Sequence, residues 1–600
     1  MENDKEKFKK LKISTLLDLA LIVPTSYNNT TLSLDLKVGE FGTFEATVEN
    51  VNTHNGKLNV TFFLPKFSKK ISSIFFRATP YHYQLFTKES KHYIQGKLEQ
   101  YKGYLQMSQP KSIKEIGKII PKYKSVLKQS ELVELVSKYV NEKNLYADGL
   151  DSLEVVTVMN LHFPKEISHI MEEKHFKQRV IQQLKFIEAF NHVKKLRGKR
   201  TDYPAVRLLD GDISSFTSSL PFSLTKEQQT VIEDIQKDLS REDKAAKRMV
   251  VGDVGSGKTM VILASVMMAL PHKSILMAPT SLLALQLYEE AQKHLSTSVK
   301  IVLVMQGRDS DDYTDADFII GTHALLYKDD LPEASLVMVD EQHRFGTRQR
   351  ASLEALVSNG EKRPHFLQFS ATPIPRTQAM MQSELLDVSL ITTTPFEREL
   401  KTQMIGKQDF PALLTHIEKE ISCKHQVLII YPLVEESVEV PYQSLEESKG
   451  FWREKFDNVY VTHGKDKQKE EVLLEFREKG DMLLATTVVE VGISLPRLTL
   501  IVIVGAERLG LATLHQLRGR VGRNGLKSWC YLFSHFPKSE RLQRFCETDN
   551  GFDIAKLDLK FRDSGDILDG TIQSGQKFKW LDMTEDEEVI ERAKSRIVGL

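Results

Sequence analysis

The spacing of apolar residues changes along the chain and predicts three kinds of structure. Between residues 37 and 118, apolar and polar positions alternate in short runs, which is typical of strands with one buried face. Asn55-Gly56 separates two such runs and predicts a two-residue hairpin turn, and Lys102-Gly103 predicts another. Several short antiparallel strands of this kind predict a small barrel of the OB-fold type.

A helical period replaces the alternation on both sides of this barrel. Residues 1–36 are predicted to form an N-terminal helical segment, and residues 119–219 a helical linker. Within the linker, apolar residues recur every three or four positions from Val180 to Val193, and the pattern ends at Gly198. This stretch predicts one long amphipathic helix whose apolar side packs against a neighbouring domain.

Alternating strands and helices are predicted after residue 220. Apolar runs such as "KRMVV", "KSILMAP" and "LVMVDE" are separated by helical stretches, and a second series of the same style begins near residue 426. This alternation is typical of parallel sheets with crossover helices. We therefore predict two successive α/β domains, over residues 220–395 and 396–545, and a C-terminal segment over residues 546–600.

Composition narrows the class of protein. The chain has 600 residues, which is too long for one hydrophobic core and predicts several domains. Its 41% hydrophobic and 27% charged residues are those of ordinary globular proteins, and no apolar run reaches the roughly 20 residues of a membrane span. The start of the chain lacks a signal-peptide pattern, and three widely spaced cysteines predict reduced thiols. We expect a cytoplasmic protein without a membrane partner.

The formal net charge of +1 means that a nucleic-acid surface must come from local clusters of basic residues. One such cluster lies in the predicted barrel, where basic and aromatic side chains are interleaved. Its members are Lys66, Lys69, Lys70, Phe75, Phe76, Arg77, Tyr81, Tyr83 and Phe86. Cations that meet phosphates and rings that meet bases predict a nucleic-acid surface. The alternative is that Phe75 or Phe76 belongs to the barrel core and that the lysines form a solvated edge.

The stretch "MVVGDVGSGKTM" satisfies the pattern of a phosphate-binding loop between a predicted strand and a predicted helix. Its pattern residues are Gly252, Gly257, Lys258 and Thr259, and Gly255 adds a further glycine. The glycines let successive backbone N–H groups turn toward phosphate oxygens. Lys258 is predicted to reach the β- and γ-phosphates of ATP, and the Thr259 hydroxyl to bind Mg²⁺.

Two adjacent carboxylates follow an apolar strand in "SLVMVDEQHRFG". Asp340 is predicted to hold Mg²⁺, and Glu341 to orient and deprotonate the attacking water. Their position some eighty residues after the phosphate loop favours this role over a solvated turn. His343 is predicted to link this site to neighbouring residues, and a purely structural histidine is the alternative.

Three arginines lie close together in "LHQLRGRVGRNG" of the second α/β domain. A γ-phosphate held by one domain gains transition-state stabilisation from cations that another domain supplies. We predict that Arg520 and Arg523 are these arginine fingers, so that ATP closes the cleft and hydrolysis opens it. For Arg518, this role and a surface contact with nucleic-acid phosphates both stay open.

These motifs occur together with "APTSLLALQ", "GTHAL", "FSATPIPRT", "ATTVVEVGISLP" and "ERLGLATLHQ", in this order. The set resembles superfamily 2 helicases and specifically the RecG family of branched-DNA translocases, over roughly residues 220–575. "LPFSLTKEQQ" resembles that family's glutamine motif and implies that Gln228 contacts the adenine. The predicted barrel resembles the family's wedge domain in style only.

The resemblance implies roles for further residues, which match family motifs by position in the motor and only loosely in the barrel. Glu490 and Gly492 would face the nucleotide across the cleft. Four residues would lie where related motors contact the DNA backbone, namely Thr280, Gly321, Thr322 and Thr486. Six residues would couple ATP hydrolysis to movement, namely His343, Ser370, Thr372, Gln516, Arg562 and Gln573. In the barrel, Phe76, Tyr81, Tyr83, Lys69 and Lys70 would meet branched DNA.

The C-terminal stretch "DLKFRDSGDILDGTIQSG" resembles the family's translocation motif, a helical hairpin followed by a loop. Asp558, Leu559, Arg562, Gly565 and Gln573 match the pattern. It departs from the pattern elsewhere: an acid is replaced by Lys560, a glycine by Asp563 and a second arginine by Ile572, and Asp569 is inserted. These departures put the coupling contributed by that arginine in doubt.

Family membership implies an ATP- and Mg²⁺-dependent helicase that moves along duplex DNA while the wedge splits the arms of a fork. Its substrates would be stalled forks, Holliday junctions and displacement loops, in recombination and repair. The resemblance further implies a monomer, a location with the bacterial nucleoid and recruitment by a single-stranded-DNA-binding protein.

Three other interpretations are weighed against this one. An RNA helicase would share the motor, but "DEQHRFG" and "ATPIPRT" resemble duplex-DNA translocases. The transcription-repair coupling factor needs long regions ahead of its motor, and about 220 residues leave too little room. A non-catalytic, ATP-gated DNA clamp would not need Lys258, Glu341, Arg520 and Arg523 all intact.

Overall fold

The computed structural model describes residues 2–54, 57–172, 175–305, 313–328, 331–341, 344–346, 349, 352–353, 355, 361–372, 374–395, 399–435, 441–486, 494–522, 525–536, 538–569 and 578–599. The chain divides into two compact units. Unit 1 comprises Met1–Lys194, Lys577–Asp582 and Glu588–Leu600, and unit 2 comprises Lys195–Gln576 and Met583–Glu587. The boundary at Lys194 falls inside the range 119–219 that the sequence treats as one helical linker.

Short strands make up the first half of unit 1. They are β1 (Ser26–Asn29), β2 (Phe41–His54), β3 (Lys57–Leu64), β4 (Lys69–Phe75), β5 (Lys91–Lys97), β6 (Glu99–Tyr101), β7 (Tyr104–Ser108), β8 (Lys111–Ile113), β9 (Ile119–Lys122), β10 (Met171–Glu172) and β11 (His175–Phe176). In the described part of the chain, seven of them form one sheet in the order β6-β7-β4-β3-β2-β5-β8.

The long strand β2 organises this sheet. It pairs antiparallel with β5 through its first half and with β3 through its second half, with a register shift between Val48 and Asn50. Such a shift bends a strand and lets it serve two neighbours of a curved sheet. β4 runs antiparallel to β3 and parallel to β7. The arrangement is an OB-like barrel, as predicted.

Both predicted hairpins are present. β2 and β3 pair up to His54 and Lys57, and Asn55 and Gly56, where the turn is predicted, lie outside the described residues. β6 and β7 pair with Tyr101 opposite Tyr104. Between them Lys102 has φ +47° and Gly103 φ +85°, and two successive positive φ angles are those of a type I′ turn.

Helices lie before, between and after the barrel strands in the sequence, and they complete unit 1. They are α1 (Glu2–Leu11), α2 (Leu16–Ala20), α3 (Pro80–Leu85), α4 (Gln129–Tyr139), α5 (Glu142–Ala147), α6 (Ser152–His162) and α7 (Gln178–Arg197). α7 is the long helix that the apolar period predicts, and it buries Leu184, Ile187, Phe190 and Val193.

The end of the chain belongs to the same unit as its beginning. The Glu188 carboxylate in α7 accepts backbone N–H bonds from residues 579, 580 and 581, each at 2.8 Å. Arg596 donates to the buried Glu154 at 2.5 Å and to Asp151 at 3.1 Å, and its guanidinium lies 4.3 Å from the ring centre of Phe186. The C-terminal residues therefore pack in unit 1, although the sequence grouped residues 546–600 as one segment.

Unit 2 begins with a parallel sheet, which corresponds to the first of the two predicted motor domains. Its strands are β12 (Lys247–Gly252), β13 (Ser274–Met277), β14 (Ile301–Val304), β15 (Phe318–Gly321), β16 (Leu336–Val339), β17 (His365–Ser370) and β18 (Asp387–Ile391). Its helices are α8 (Ser214–Ser219), α9 (Lys226–Leu239), α10 (Lys258–Ala269), α11 (Ser281–His294) and α12 (Arg376–Gln382). The strand order β14-β15-β13-β16-β17-β12-β18 puts β12 and β16 on either side of β17.

A second parallel sheet forms the second motor domain. Its strands are β19 (Leu400–Ile405), β20 (Gln426–Ile430), β21 (Val459–Thr462), β22 (Met482–Ala485), β23 (Leu498–Val504) and β24 (Ser528–Phe533), in the order β19-β24-β23-β20-β22-β21. Its helices are α13 (Phe410–Ser422), α14 (Leu445–Lys455), α15 (Lys469–Lys479) and α16 (Leu511–Arg518). The predicted pair of parallel α/β domains is confirmed.

Three further helices follow the second motor domain, α17 (Glu540–Glu547), α18 (Gly551–Asp569) and α19 (Glu587–Val598). Asp558 in α18 accepts the backbone N–H of Leu511, the first residue of α16, at 3.1 Å. Leu542, Phe545 and Ile554 are buried in the core of the second domain. α17 and α18 are therefore packed onto this domain. Among the described residues, none of the helices combines the length and apolar character that a membrane span requires.

Candidate functional site

The phosphate-binding loop connects β12 to α10, and its glycines are required by its shape. Gly255 and Gly257 have φ angles of +76° and +77°, a region in which side chains with a Cβ are strained. A Cβ on Gly257 would lie 2.3 Å from Nε2 of Gln228. The loop therefore brings bare backbone up to the space in front of the N-terminus of α10, where anions bind readily.

Two polar groups in this loop indicate that a ligand belongs here. Nζ of Lys258 donates to the backbone oxygens of Gly252 at 2.9 Å and Asp253 at 3.0 Å, so the ammonium is held over the loop. The hydroxyl of Ser256 is buried, and within the described part of the chain it has no hydrogen-bond partner. A phosphate group would satisfy both side chains, so the loop fits the triphosphate of ATP.

Gln228 connects the first turn of α9 to the same loop. Its Nε2 donates to the backbone oxygen of Ser256 at 2.8 Å, and its Oε1 accepts the N–H of Thr225 at 2.8 Å. Phe222 lies six positions earlier and lines the same cavity of about 400 Å³. Phe222 belongs to the stretch that resembles the glutamine motif, but the sequence pattern alone predicted no role for it. A ring and an amide at one end of the cavity are suited to a purine base.

The two predicted carboxylates lie where β16 ends, and both are buried. Oδ1 of Asp340 accepts the backbone N–H of Glu341 at 2.9 Å, and Glu341 has φ +49°. Burial, together with the neighbouring charge of Glu341, raises the pKa of Asp340 well above its ordinary value, and Lys258 opposes this rise. A divalent cation would favour the ionised form of this carboxylate. The hydroxyl of Thr259 and the Asp340 carboxylate are oxygen donors of the type that Mg²⁺ takes.

The second motor domain contributes to the same cavity. Gln516 at the end of α16 and Arg520 just after it line the cavity together with Lys258, Thr259 and Glu341. The structure therefore brings together residues of the phosphate loop, of the carboxylate pair and of the arginine-rich stretch, as the sequence predicts. A cation from one domain that faces phosphates held by the other is the arrangement used in cleft-closing motors.

Arg518 is neither an arginine finger nor a surface residue. It is 2% exposed, and its guanidinium lies 4.4 Å from the ring centre of Phe545. Its nitrogens donate to the backbone oxygens of Phe545 and Asp549, both at 3.2 Å. Both roles that the sequence left open for Arg518 are therefore wrong, because packing against residues 545–549 buries this side chain.

Three predicted coupling residues lie in contact across the two motor domains. Nε2 of Gln516 donates to the hydroxyl of Thr372 at 2.8 Å, and the Thr372 N–H donates to the Ser370 hydroxyl at 3.2 Å. Next to them, the Ala371 N–H donates to Oε2 of Glu341 at 3.3 Å. The carboxylate predicted to activate water thus contacts the same short segment that Gln516 contacts from the other domain.

The residues predicted to contact the DNA backbone follow the carboxyl ends of three parallel strands. Thr280 follows β13, Gly321 ends β15 and Thr486 follows β22. The Thr280 hydroxyl caps α11 by accepting the N–H of Leu283 at 3.2 Å. Thr322 is buried, and its hydroxyl accepts the N–H of Ala324 at 3.3 Å. The hydroxyls of the two threonines of the first domain thus hold the local backbone.

In the barrel of unit 1, the two adjacent phenylalanines at the end of β4 have different surroundings. Phe75 is 3% exposed and packs in the core, whereas Phe76 is 47% exposed. Tyr81 and Tyr83 are 58% and 42% exposed. Nζ of Lys57 lies 5.1 Å from the ring centre of Phe76. The core alternative holds for Phe75, and Phe76 presents its ring to solvent.

The basic residues of this cluster also lie at the surface. Lys69 and Lys70 begin β4 and are exposed, and Lys70 forms an exposed ion pair with Glu49 at 2.7 Å. An exposed pair of this kind contributes little to stability, so phosphate could compete for the lysine.

Several predicted site residues lie outside the described part of the chain. They are His343, Glu490, Gly492, Arg523 and Gln573. Arg562 lies on α18, but its side chain lies outside the described part as well.

The structure adds three residues that the sequence did not single out. Asp253 in the phosphate loop accepts a hydrogen bond from His515 in α16 at 2.5 Å. Glu227, next to Gln228, accepts the backbone N–H groups of residues 392 and 393 at 2.6 and 2.8 Å. A charged side chain inside a phosphate loop was a visible signal for Asp253, whereas Glu227 and His515 carry no local signal.

The fold and the site define an ATP-driven motor of the helicase type. The DEAD/DEAH box helicase model matches residues 225–381, and the helicase conserved C-terminal domain model matches residues 409–525. The chain is 41% identical over 609 residues to the ATP-dependent DNA helicase RecG of Helicobacter pylori, over 99% of this chain and 97% of that protein. It is 32% identical to the RecG of Aquifex aeolicus, over 94% of this chain and 78% of that protein.

A solved structure of RecG bound to a three-way DNA junction has a similar fold. It aligns with 99% of this chain and 84% of its own chain, at a TM-score of 0.57 and 26% identity. The chain therefore belongs to the RecG family of ATP-dependent DNA helicases. The resemblance read from the motifs is confirmed.

Proposed function

We propose that this protein uses ATP hydrolysis to move along duplex DNA and to remodel branched DNA, regressing stalled forks and migrating Holliday junctions. One observation carries the motor part of the proposal: Arg520 of one motor domain lines the same cavity as Lys258 and Glu341 of the other. A charge that develops on the γ-phosphate would draw the two domains together. The branched substrate is supported by the relative that was solved with a three-way DNA junction.

In the proposed reaction, each residue at the cavity has one task. The phosphate loop and Lys258 hold the triphosphate, and Gln228 with Phe222 orients the base. Glu341 orients and deprotonates water, and Arg520, with Arg523, stabilises the charge on the transferred phosphoryl group. Mg²⁺, held by Thr259 and Asp340, would neutralise charge on the β- and γ-phosphates. Glu490 and Gly492 would complete the nucleotide site from the second domain.

DNA would contact two separate surfaces. Thr280, Gly321, Thr322 and Thr486 would shape the segments that meet the duplex at the strand ends of the motor, with the Thr280 and Thr322 hydroxyls holding the local backbone. In the barrel, Lys69 and Lys70 would bind phosphates, while the exposed rings of Phe76, Tyr81 and Tyr83 would stack on bases at the branch point. The exposure of these rings supports this role, because a ring must be accessible before a base can stack on it.

Coupling is assigned to the contacts between the cavity and the second domain. Ser370, Thr372 and Gln516, together with His343, would report the state of the γ-phosphate, and Arg562 and Gln573 would transmit movement to the duplex. The 2.8 Å bond between Thr372 and Gln516 supports the first part of this assignment. We propose that the protein acts as a monomer at the bacterial nucleoid, on forks, Holliday junctions and displacement loops, recruited by a single-stranded-DNA-binding protein.

The test compares stimulation of the ATPase by fork DNA, linear duplex DNA and structured RNA, each at the same nucleotide concentration. We expect fork DNA to give the largest kcat/KM. A strong preference for RNA would contradict the proposal, and ATP binding without stimulated hydrolysis would indicate a DNA clamp.

A further inference from the structure

Asp253 joins three parts of unit 2 through one buried carboxylate. Its Oδ1 accepts the N–H of Val254 in its own loop at 2.6 Å and Nε2–H of His515 in α16 at 2.5 Å. Its Oδ2 accepts the N–H of Gly551, the first residue of α18, at 2.8 Å. One side chain of the phosphate loop therefore holds both the arginine-bearing helix and the start of the C-terminal helix.

The direction of the hydrogen bonds at His515 follows from its neighbour. Nη2 of Arg518 lies 3.2 Å from Nδ1 of His515. A guanidinium can only donate, so Nδ1 accepts and Nε2 carries the proton that is donated to Asp253. His515 is therefore a neutral imidazole that connects a buried cation to a buried anion.

Arg518 carries this connection to the C-terminal helices by a second route. Its guanidinium donates to the backbone oxygens of Phe545 in α17 and of Asp549, just before α18. Both ends of the segment between α17 and α18 are thus fixed, one through Arg518 and one through the Gly551 N–H. A buried network in which every member has partners is stiff and holds a defined geometry.

Asp253 is also connected to the phosphate site, through Lys258. Nζ of Lys258 donates to the backbone oxygen of Asp253 at 3.0 Å. An ammonium that turns toward phosphates would change its hydrogen bonds to these carbonyl oxygens, so ATP binding would alter the loop at Asp253 itself. A Cβ on Gly519 would lie 2.5 Å from Val254, so the second domain packs directly against the loop beside it.

The carboxylate stays ionised in this environment. Burial raises the pKa of Asp253, but the hydrogen bonds that it accepts from His515 and from the N–H groups of Gly551 and Val254 outweigh burial and lower the pKa below its ordinary value. A charged acceptor forms stronger hydrogen bonds than a neutral one, so the junction is held firmly.

We propose that Asp253 is a positioning residue that transmits the state of the phosphate loop directly to α18, through the Gly551 N–H and through His515 and Arg518. This path from Asp253 to α18 is the relay, and it depends on the ATP-driven motor activity proposed above. It differs from the Thr372–Gln516 contact in the segment that it connects. Thr372 lies beside the residue that contacts Glu341, whereas Asp253 is part of the loop that binds the phosphates. Binding and hydrolysis would then reach the C-terminal helices by separate paths.

Two substitutions of His515 test the relay. His515→Gln retains a donor for Asp253 and an acceptor for Arg518, whereas His515→Leu keeps the bulk and removes both. The first readout is the number of base pairs translocated per ATP, from displacement of a third strand on duplex DNA. We expect this ratio to fall about tenfold or more in His515→Leu and to stay within about threefold in His515→Gln, as the loss of charged buried hydrogen bonds predicts.

The second readout needs no translocation. Amide hydrogen exchange over residues 551–558 is compared without nucleotide and with ADP plus beryllium fluoride, in the full-length chain. The wild-type protein should show a change at the Gly551 amide on nucleotide binding, His515→Gln should keep it, and His515→Leu should lose at least half of it. His416→Leu is the control, since His416 is a histidine of the same domain whose Nδ1 lies 2.8 Å from the hydroxyl of Tyr531.

Three results would overturn the relay: no exchange response at Gly551 in the wild-type protein, a wild-type response in His515→Leu, or equal losses in both His515 variants. If His515→Leu does not fold, the absence of an exchange response at Gly551 in the wild-type protein still overturns the relay. A wild-type chain that translocates on no duplex would instead refute the proposed motor function, and the exchange readout would still decide the relay.

Discussion

Gln516 of the second motor domain donates a hydrogen bond to the hydroxyl of Thr372 in the first domain at 2.8 Å. Thr372 directly follows Ala371, whose N–H donates to Oε2 of Glu341 at 3.3 Å. The two bonds form a short path from the carboxylate assigned to water activation to the domain that carries Arg520. This path crosses the cleft without using the nucleotide.

Replacing Gln516 should weaken closure of the cleft in the presence of DNA. A net hydrogen bond contributes about 1 kcal/mol, which corresponds to about a fivefold loss of rate. We expect Gln516→Ala to lower the DNA-stimulated kcat by about this factor. Steady-state ATPase assays with fork DNA measure it, with Gln292→Ala, on the exposed face of α11, as the control. An unchanged stimulated kcat in Gln516→Ala would argue against the path.

Lys258 should be required for turnover and dispensable for DNA binding. Its ammonium is held by the carbonyl oxygens of Gly252 and Asp253, where it faces the phosphate site. Loss of one preorganised charge at a developing oxyanion lowers rates by about 100-fold or more, so Lys258→Ala should show at least that loss in ATP hydrolysis. Fork affinity, measured by fluorescence anisotropy, should stay within about twofold, because the assigned DNA surfaces do not include this side chain. A folded variant that fails to bind forks would refute this separation.

Glu227 holds the start of the connection between the two motor domains. Its carboxylate accepts both the N–H and hydroxyl groups of Thr392 and Thr393, at 2.6 to 2.9 Å. β18 ends at Ile391 and β19 begins at Leu400, so these threonines open the linker about which the domains move. Because Glu227 is next to Gln228, these hydrogen bonds fix the start of the linker to the turn that carries Gln228.

Removal of this carboxylate should loosen the linker. Hydrogen bonds to a charged group contribute about 1.5–3 kcal/mol, so Glu227→Ala should lower the stimulated kcat about tenfold or more. Glu233→Ala removes an exposed carboxylate from the same helix and should leave kcat within about twofold, as is usual for a surface charge. Equal effects of the two substitutions would show that Glu227 has no special position.

The parallel sheets and the phosphate loop could be predicted because their signals are local. Strands such as β16 and β20 are short apolar runs that are buried along their whole length. The glycine spacing of the loop already required the positive φ angles that Gly255 and Gly257 adopt. Each of these features depends on residues within one turn or one strand of each other.

Contacts between distant segments could not be predicted in the same way. Asp253 and His515 are 262 positions apart, and Glu227 and Thr392 are 165 positions apart. No periodicity connects such pairs: the first contact requires the two α/β domains to be docked, and the second requires the whole first domain to be folded. Arg518 shows the same limit, because its burial is created by residues 545–549 rather than by its own motif.

The exposed rings of the barrel should contribute to branch selectivity. Stacking of a base on an aromatic side chain contributes about 1–3 kcal/mol, so Phe76→Ala should lower the preference for forks over linear duplex about fivefold or more. Tyr104→Ala is the matched control, since Tyr104 is an exposed aromatic residue at the β6–β7 turn of the same barrel. Competition binding with labelled forks gives the ratio. An equal loss in both variants would indicate general barrel damage rather than stacking by Phe76.

Unit 1 should lose stability below neutral pH because of His162. Nε2 of His162 lies 2.8 Å from the Ala20 oxygen and Nδ1 lies 2.8 Å from the Tyr123 hydroxyl, and burial lowers its pKa from 6.5 to about 4. The unfolded chain therefore binds a proton that the folded chain excludes, and about 2 kcal/mol of unfolding free energy should be lost between pH 7 and pH 5. Urea unfolding followed by Trp580, with the two other tryptophans replaced by phenylalanine, reports on this unit. His162→Gln keeps one donor and one acceptor and should remove most of this pH dependence. His169→Gln, at an exposed site, should leave it unchanged, and the same slope in both variants would refute the assignment.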